Sequence, residues 1–162
     1  MKNKKQTIYI PVGFPACGKT TYWKKRLPSC KRISCDDLIG MVLANGWTAK
    51  DAPTIQVIEE QCIKALLKDG HDIYIDRTNL SKAERNRWLE LAAEVEFEHW
   101  EQTLKLTKIE TICLHFKTNI KTCKKRNALR EHPVPDEAYE KMNKRYKKPT
   151  RSEGLNIITI IK

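Results

Sequence analysis

Between residues 13 and 20 the chain reads Gly-Phe-Pro-Ala-Cys-Gly-Lys-Thr: two glycines around four arbitrary residues, with a lysine and a hydroxyl straight after the second. This spacing fits G-x-x-x-x-G-K-[ST], in which glycine lets the backbone turn its N–H groups onto phosphate oxygens. A helix starting there adds partial positive charge. On this reading Gly13, Pro15, Ala16, Cys17, Gly18, Lys19, Thr20 and Thr21 hold a nucleoside triphosphate, ATP, with Lys19 reaching the β- and γ-phosphates and the Thr20 hydroxyl binding Mg²⁺. An ordinary glycine turn is the bland alternative. The flanks speak against it, because the apolar run Ile8 to Val12 precedes the loop and a helix-forming stretch follows. The motif implies a nucleotide and leaves the reaction open.

Further along, Asp36 and Asp37 follow a second short apolar segment. At the C-terminal end of a parallel strand a carboxylate lies beside the ligand crevice, where it can take the proton of an attacking hydroxyl. One Asp suffices to cap the next helix, so capping and catalysis are both open for the pair, with Asp36 the candidate base. Asp76 ends a third apolar segment in Asp-Arg-Thr-Asn. It is a candidate for Mg²⁺ or its waters, for orienting Asp36, or for a plain turn. In KTCKKRNALREHPVP, Arg126 and Arg130 stand one helical turn apart on the same face. Closed over the loop, two guanidinium groups would neutralise charge on a transferred phosphoryl group; otherwise they form a solvated face.

These side chains need a frame, and the apolar pattern supplies one. Short runs at Ile8–Val12, around Arg32–Ser34, at Asp72–Asp76, Ile109–Phe116 and Asn156–Ile161 read as five strands. Helices are expected from Thr20 to Arg26, from Leu38 through Val42, from Ile55 to Gly70, from a Ser81–Glu84 capping box through Ala92, from Asn119 to Ala128 and from Pro135 to Tyr146. Alternating strands and helices imply an α/β domain on a mainly parallel sheet, since parallel neighbours need helical crossovers.

With 162 residues, 40% apolar and 31% charged, the composition is that of one globular domain rather than a disordered or fibrous chain. No apolar run approaches a membrane span, and the N-terminal apolar stretch is only about five residues long, so the cytoplasm is the expected location. The six cysteines are expected to be free thiols, with no C-x-x-C spacing and no ligand-like spacing to histidine. Net charge is +11, and it is segregated. Residues 1–26 carry seven Lys/Arg and no acids, residues 117–151 carry twelve against four, and residues 27–116 carry eleven against fifteen. A phosphate-rich partner accounts for this if the two basic ends meet in space, though solvated helix faces account for many of the lysines.

In order and spacing, GFPACGKTT, SCDD, DRTNLSKAER, KKRNALREHPVP and KPTRSEGL together resemble the polynucleotide 5'-hydroxyl kinase family, the P-loop kinases of nucleic-acid repair. The resemblance implies a P-loop kinase-like domain over residues 1–162, with a five-stranded sheet and a helical lid at about 119–134. It implies Asp36 as general base for the acceptor hydroxyl, Lys19 and Thr20 on ATP and its metal, and Arg126 and Arg130 as the lid. The implied reaction moves the ATP γ-phosphate to the 5'-hydroxyl end of RNA or DNA. Where many members of that family have an arginine three residues after the base, this chain has Ile39. Arg77 and Arg85, with Arg87 behind them, are the candidates to supply that cation to the substrate. Leu155 replaces a usual aromatic, and the phosphatase motif D-x-D-x-T carried by some relatives does not occur, so only the kinase half-reaction is expected. Two other functions fit the motifs less fully: a kinase for a small hydroxylated metabolite, antibiotic or nucleoside, and a nucleotide-dependent RNA-binding module in which Asp36 does no more than cap.

Overall fold

Along β1 (Gln6–Val12) side chains alternate between two apolar layers, with Ile8, Ile10 and Val12 packed into one and Tyr9 against the other. A strand buried on both faces needs helices on both, as in a parallel sheet with helical crossovers. The computed structural model, which describes residues 5–43 and 46–161, has that architecture. Lys2 and Lys4, two of the cations counted at the basic N-terminal end, lie outside the described residues.

β2 (Lys31–Ser34), β3 (Ile73–Asp76), β4 (Ile109–Phe116) and β5 (Ile157–Ile161) join β1 in one five-stranded sheet of order β2-β3-β1-β4-β5. Every pairing is parallel, so a sheet expected to be mainly parallel is wholly so. α3 (Ala52–Lys68) and α4 (Lys82–Thr103) cover one face through Ile63, Leu67, Trp88 and Leu91. α1 (Lys19–Arg26), α5 (Ile120–Asn127) and α6 (Asp136–Arg145) cover the other through Tyr22, Trp23, Cys123 and Tyr139. Each fully buried aliphatic or aromatic side chain contributes about 1.5–3 kcal/mol relative to leaving it in water. Because β1 has β3 on one side and β4 on the other, the crevice of such a sheet opens at the C-terminal end of β1, where Gly13 begins.

Local signals account for the helix ends. At α4 the Ser81 hydroxyl accepts from the Glu84 N–H at 3.2 Å while the Glu84 carboxylate accepts from the Ser81 N–H at 2.7 Å, the expected capping box. At α2 (Cys35–Val42) the expectation that Asp36 or Asp37 caps the helix is corrected: Ser34 is the cap, its hydroxyl accepting from the Asp37 N–H at 3.4 Å. Ser has the short oxygen and the extended backbone a cap requires, and that moves both acids into the first turn. Leu155 is buried in the core, as is Trp88, whereas Trp100 is 43% exposed. All six cysteines are free. Among the described residues no helix is long and apolar enough to cross a membrane.

Candidate active site

The loop after β1 is held by close approach and by hydrogen bonds from three other elements. A Cβ on Gly13 would sit 2.6 Å from the Cys17 Sγ and 3.0 Å from the Phe116 Cβ, so only glycine fits. Ala16 (φ 59°) and Gly18 (φ 106°) are left-handed with Cys17 between them at negative φ, the alternation from which anion-binding nests of N–H groups are built. The Gly13 N–H donates to the Thr78 carbonyl at 3.0 Å, tying the loop to the end of β3. Thr118 donates to the Cys17 carbonyl and Tyr139 to the Pro15 carbonyl, both at 3.1 Å, and Tyr74 donates to the Lys19 carbonyl at 2.9 Å. Burial pushes the Tyr139 hydroxyl up to about 12, aided by neighbouring Cys123, and pushes Tyr74 up as well, so both remain donors.

Lys19 opens α1 with its ammonium buried and turned back on the loop, donating to the Gly13 and Phe14 carbonyls at 2.9 Å each and lying 3.7 Å from the Cys17 sulfur. Burial raises the Cys17 thiol despite that ammonium, so the sulfur stays protonated beside it. A groove of about 630 Å³ runs along the loop, lined by Ala16, Cys17, Gly18, Thr21, Tyr22 and Arg126 among others. Arg126 therefore shares a groove with the loop. Arg130 is exposed and has no carboxylate partner among the described residues, and its charge is felt by Tyr139, the residue that holds Pro15.

Thr20 and Asp76 come together as a metal site would require, the hydroxyl donating to the carboxylate at 2.8 Å. A hydroxyl and a carboxylate suit Mg²⁺, a hard cation that takes one or two protein oxygens and otherwise waters and substrate phosphates. The same carboxylate oxygen accepts from the Arg32 Nε at 2.7 Å, and the far end of Arg32 pairs with Asp37. Burial works against the charge of Arg32, yet the bonds to Asp76 and Asp37 outweigh it and strengthen the guanidinium's hold on its proton.

The two neighbouring acids are thereby separated. Asp37 is engaged by Arg32, while Asp36 is exposed and has no hydrogen-bond or ion-pair partner among the described residues. Ser34 stands opposite Asp76 in the β2–β3 register, so Asp36 leaves the sheet edge two residues beyond the level of the Thr20–Asp76 pair. Capped by Ser34 and with Asp36 unpaired, α2 uses Asp36 only as a first-turn negative charge at its N-terminus.

The arginines expected to replace the missing cation at Ile39 are already paired. Arg85 is 0% exposed, its guanidinium forked on Glu153 at 2.7 and 2.9 Å and donating to the Asn79 and Leu80 carbonyls. The expectation that Arg85 binds substrate is corrected: it joins α4 to the segment before β5 and presents no face to a ligand. Arg77 donates to the buried Glu59 at 2.7 Å, and Arg87 bridges Glu59 and Glu60. Arg77 is half-buried and that carboxylate holds it toward α3. Arg32, Tyr74, Thr118 and Tyr139 are the residues bonded to this candidate site that sequence reading missed. Each acts across long sequence separations, and only the position of Thr118 just past β4 gave a signal.

The model of an AAA domain family matches residues 8–149. The chain belongs to this family. Among curated proteins, this AAA domain is similar to the bifunctional polynucleotide phosphatase/kinase of Schizosaccharomyces pombe, 24% identical over an alignment of 162 residues that covers 95% of this chain and 33% of that protein. It thus spans about a third of that relative's length. Among the solved structures that share its P-loop kinase fold are two kinases. One is a fungal RNA kinase with TM-score 0.67 and 14% identity, covering 100% of this chain and 76% of that one. The other is a sugar kinase from Janibacter sp. HTCC2649 with TM-score 0.64 and 14% identity, covering 98% and 85%.

Proposed function

We propose that this domain transfers the γ-phosphoryl group of ATP to the 5'-hydroxyl end of RNA or DNA. The observation that carries the reading is the unpartnered carboxylate of Asp36, two residues beyond Ser34, which stands opposite Asp76 of the Thr20–Asp76 pair in the β2–β3 register. In this reading Lys19 leaves the two loop carbonyls for the β- and γ-phosphates, because a phosphate oxygen is a stronger acceptor than a neutral carbonyl. The N–H groups of residues 13–20 and the start of α1 hold the phosphates in line with the acceptor. Asp36 accepts the proton of the attacking hydroxyl, and Arg126 and Arg130, on a lid of about residues 119–134, balance the charge spread over the transferred group. Thr20 and Asp76 would hold Mg²⁺, which supplies charge neutralisation at the phosphate oxygens when bound. The likeness to the polynucleotide phosphatase/kinase of Schizosaccharomyces pombe and to the fungal RNA kinase supports the polynucleotide acceptor. So does the basic segment 117–151, with twelve Lys/Arg against four acids.

A small hydroxylated acceptor is the second reading, favoured by Ile39 and by the likeness to a sugar kinase. The test is γ-labelled ATP and Mg²⁺ with a 5'-hydroxyl oligonucleotide, run beside nucleoside and sugar acceptors. Label on the oligonucleotide, with an acceptor KM that climbs steeply with salt, supports the proposal. Label on a sugar or nucleoside alone, insensitive to salt, would replace it with the second reading.

A further inference from the structure

A second cavity, of about 390 Å³, adjoins the groove lined by Arg126, sharing Phe116 and Thr118 with it. Gly13, Phe14, His115, Lys117, Tyr146 and Lys148 are among the residues that line it. Its size falls within the roughly 300–1,000 Å³ of ligand pockets. The rings form one cluster: Phe14 lies 5.9 Å from Tyr146, and Tyr146 stacks on His115 at 6.2 Å, with its hydroxyl 2.8 Å from the His115 Nε2. Burial first, and then the charges of Lys117, Lys148 and Arg85, push His115 below its ordinary value, so both lysines act on this pocket while the imidazole is neutral. Neither ammonium has a carboxylate partner among the described residues, in contrast to Arg77, Arg85 and Arg87.

We propose that this cavity holds an inner nucleotide of a single-stranded acceptor, its base against Phe14 and Tyr146 and its phosphate on Lys117 and Lys148. The inference rests on the polynucleotide acceptor proposed above and names cations that hold the strand at a second point, apart from Ile39. Aromatic faces stack any base, and unpaired lysines beside them take the adjoining phosphate. Asp36 follows β2, whereas the cavity opens between the ends of β1 and β4, two to three strands away. With neighbouring strands about 4.8 Å apart, that is about 12 Å. A nucleotide in this cavity is therefore one or two positions in from the 5' end that reaches Asp36.

Acceptor KM measured against chain length tests this, using 5'-hydroxyl acceptors from a mononucleoside 3'-phosphate to a hexanucleotide. Wild-type KM should fall as the acceptor grows from one nucleotide to two or three. The double variant Lys117→Ala/Lys148→Ala should lose that gain, about tenfold for the hexanucleotide, with the mononucleotide KM and the ATP KM unaltered. Tyr146→Phe, which keeps the ring, should retain it. A double variant with wild-type KM at every length, or one whose ATP KM moves equally, would overturn the assignment while leaving oligonucleotide phosphorylation intact. If wild-type protein labels no oligonucleotide, the proposed function fails. Fluorescence anisotropy of a 3'-labelled 5'-hydroxyl hexanucleotide then decides the pocket: binding lost in the double variant keeps it, and no binding by wild type removes it.

Discussion

Cations are held differently at the two corners of the sheet's rim. After β1, Lys19 rests on two neutral carbonyls, and Arg126 and Arg130 meet no carboxylate among the described residues. After β2 and β3, Arg32 is paired with Asp76 and Asp37, Arg77 and Arg87 with Glu59, and Arg85 with Glu153. An incoming phosphate outcompetes a neutral carbonyl but not a buried carboxylate, so the first corner is ready for an anion and the second spends its charge on architecture. Within that second corner Asp36 is the exception, an acid without a partner.

The contrast predicts where substitutions cost activity and where they cost stability. Lys19→Ala should lower phosphoryl transfer by about 10³-fold with the circular dichroism spectrum unchanged; transfer near the wild-type rate would end the assignment of the loop. Glu59→Gln leaves Arg77 and Arg87 facing a neutral amide in a buried site. It should destabilise the fold by about 3–5 kcal/mol, lowering Tm by roughly 10 °C, while the ATP KM holds. If ATP binding weakened and Tm did not move, the division of labour between the corners would be reversed. Arg130→Ala should slow turnover or weaken ATP binding by about tenfold, and unaltered kinetics would return it to the solvated face.

The smallest effect is a pH dependence. His115 titrates below its ordinary value in the fold, so the unfolded chain binds its proton first as pH falls. This histidine's contribution is therefore at its best above pH 6.5 and is lost as pH drops from there toward the folded value. Thermal unfolding of wild type against His115→Gln over that range should show the slope reduced in the variant, and identical slopes would remove His115 as its source.

The strand–loop–helix of the phosphate site was legible because its information is local. Ile8–Val12, the two glycines and Lys19 lie within a dozen or so residues, and β4 spans the eight residues Ile109–Phe116 that the pattern predicts. The start of α4 was equally plain from its capping box. Its end was not, since the helix runs on to Thr103 and closes at Leu104 in a left-handed conformation that no glycine announces. Arg85 shows the opposite limit. Its carboxylate partner is 68 positions away, so its type and its place on a helix could not separate a substrate-binding guanidinium from a buried strut. Sequence separation also hid Arg32 on Asp76, 44 positions apart, and with it the reason that Asp37 is engaged while Asp36 is free.

Single-turnover phosphorylation of a 5'-hydroxyl oligonucleotide by Asp36→Asn, with ATP affinity and Tm measured on the same protein, tests the central claim most directly. A chemical step slowed by about 10²-fold or more, with ATP binding and Tm at wild-type values, is the predicted result. A wild-type rate, or a loss that follows a fall in Tm alone, would contradict it.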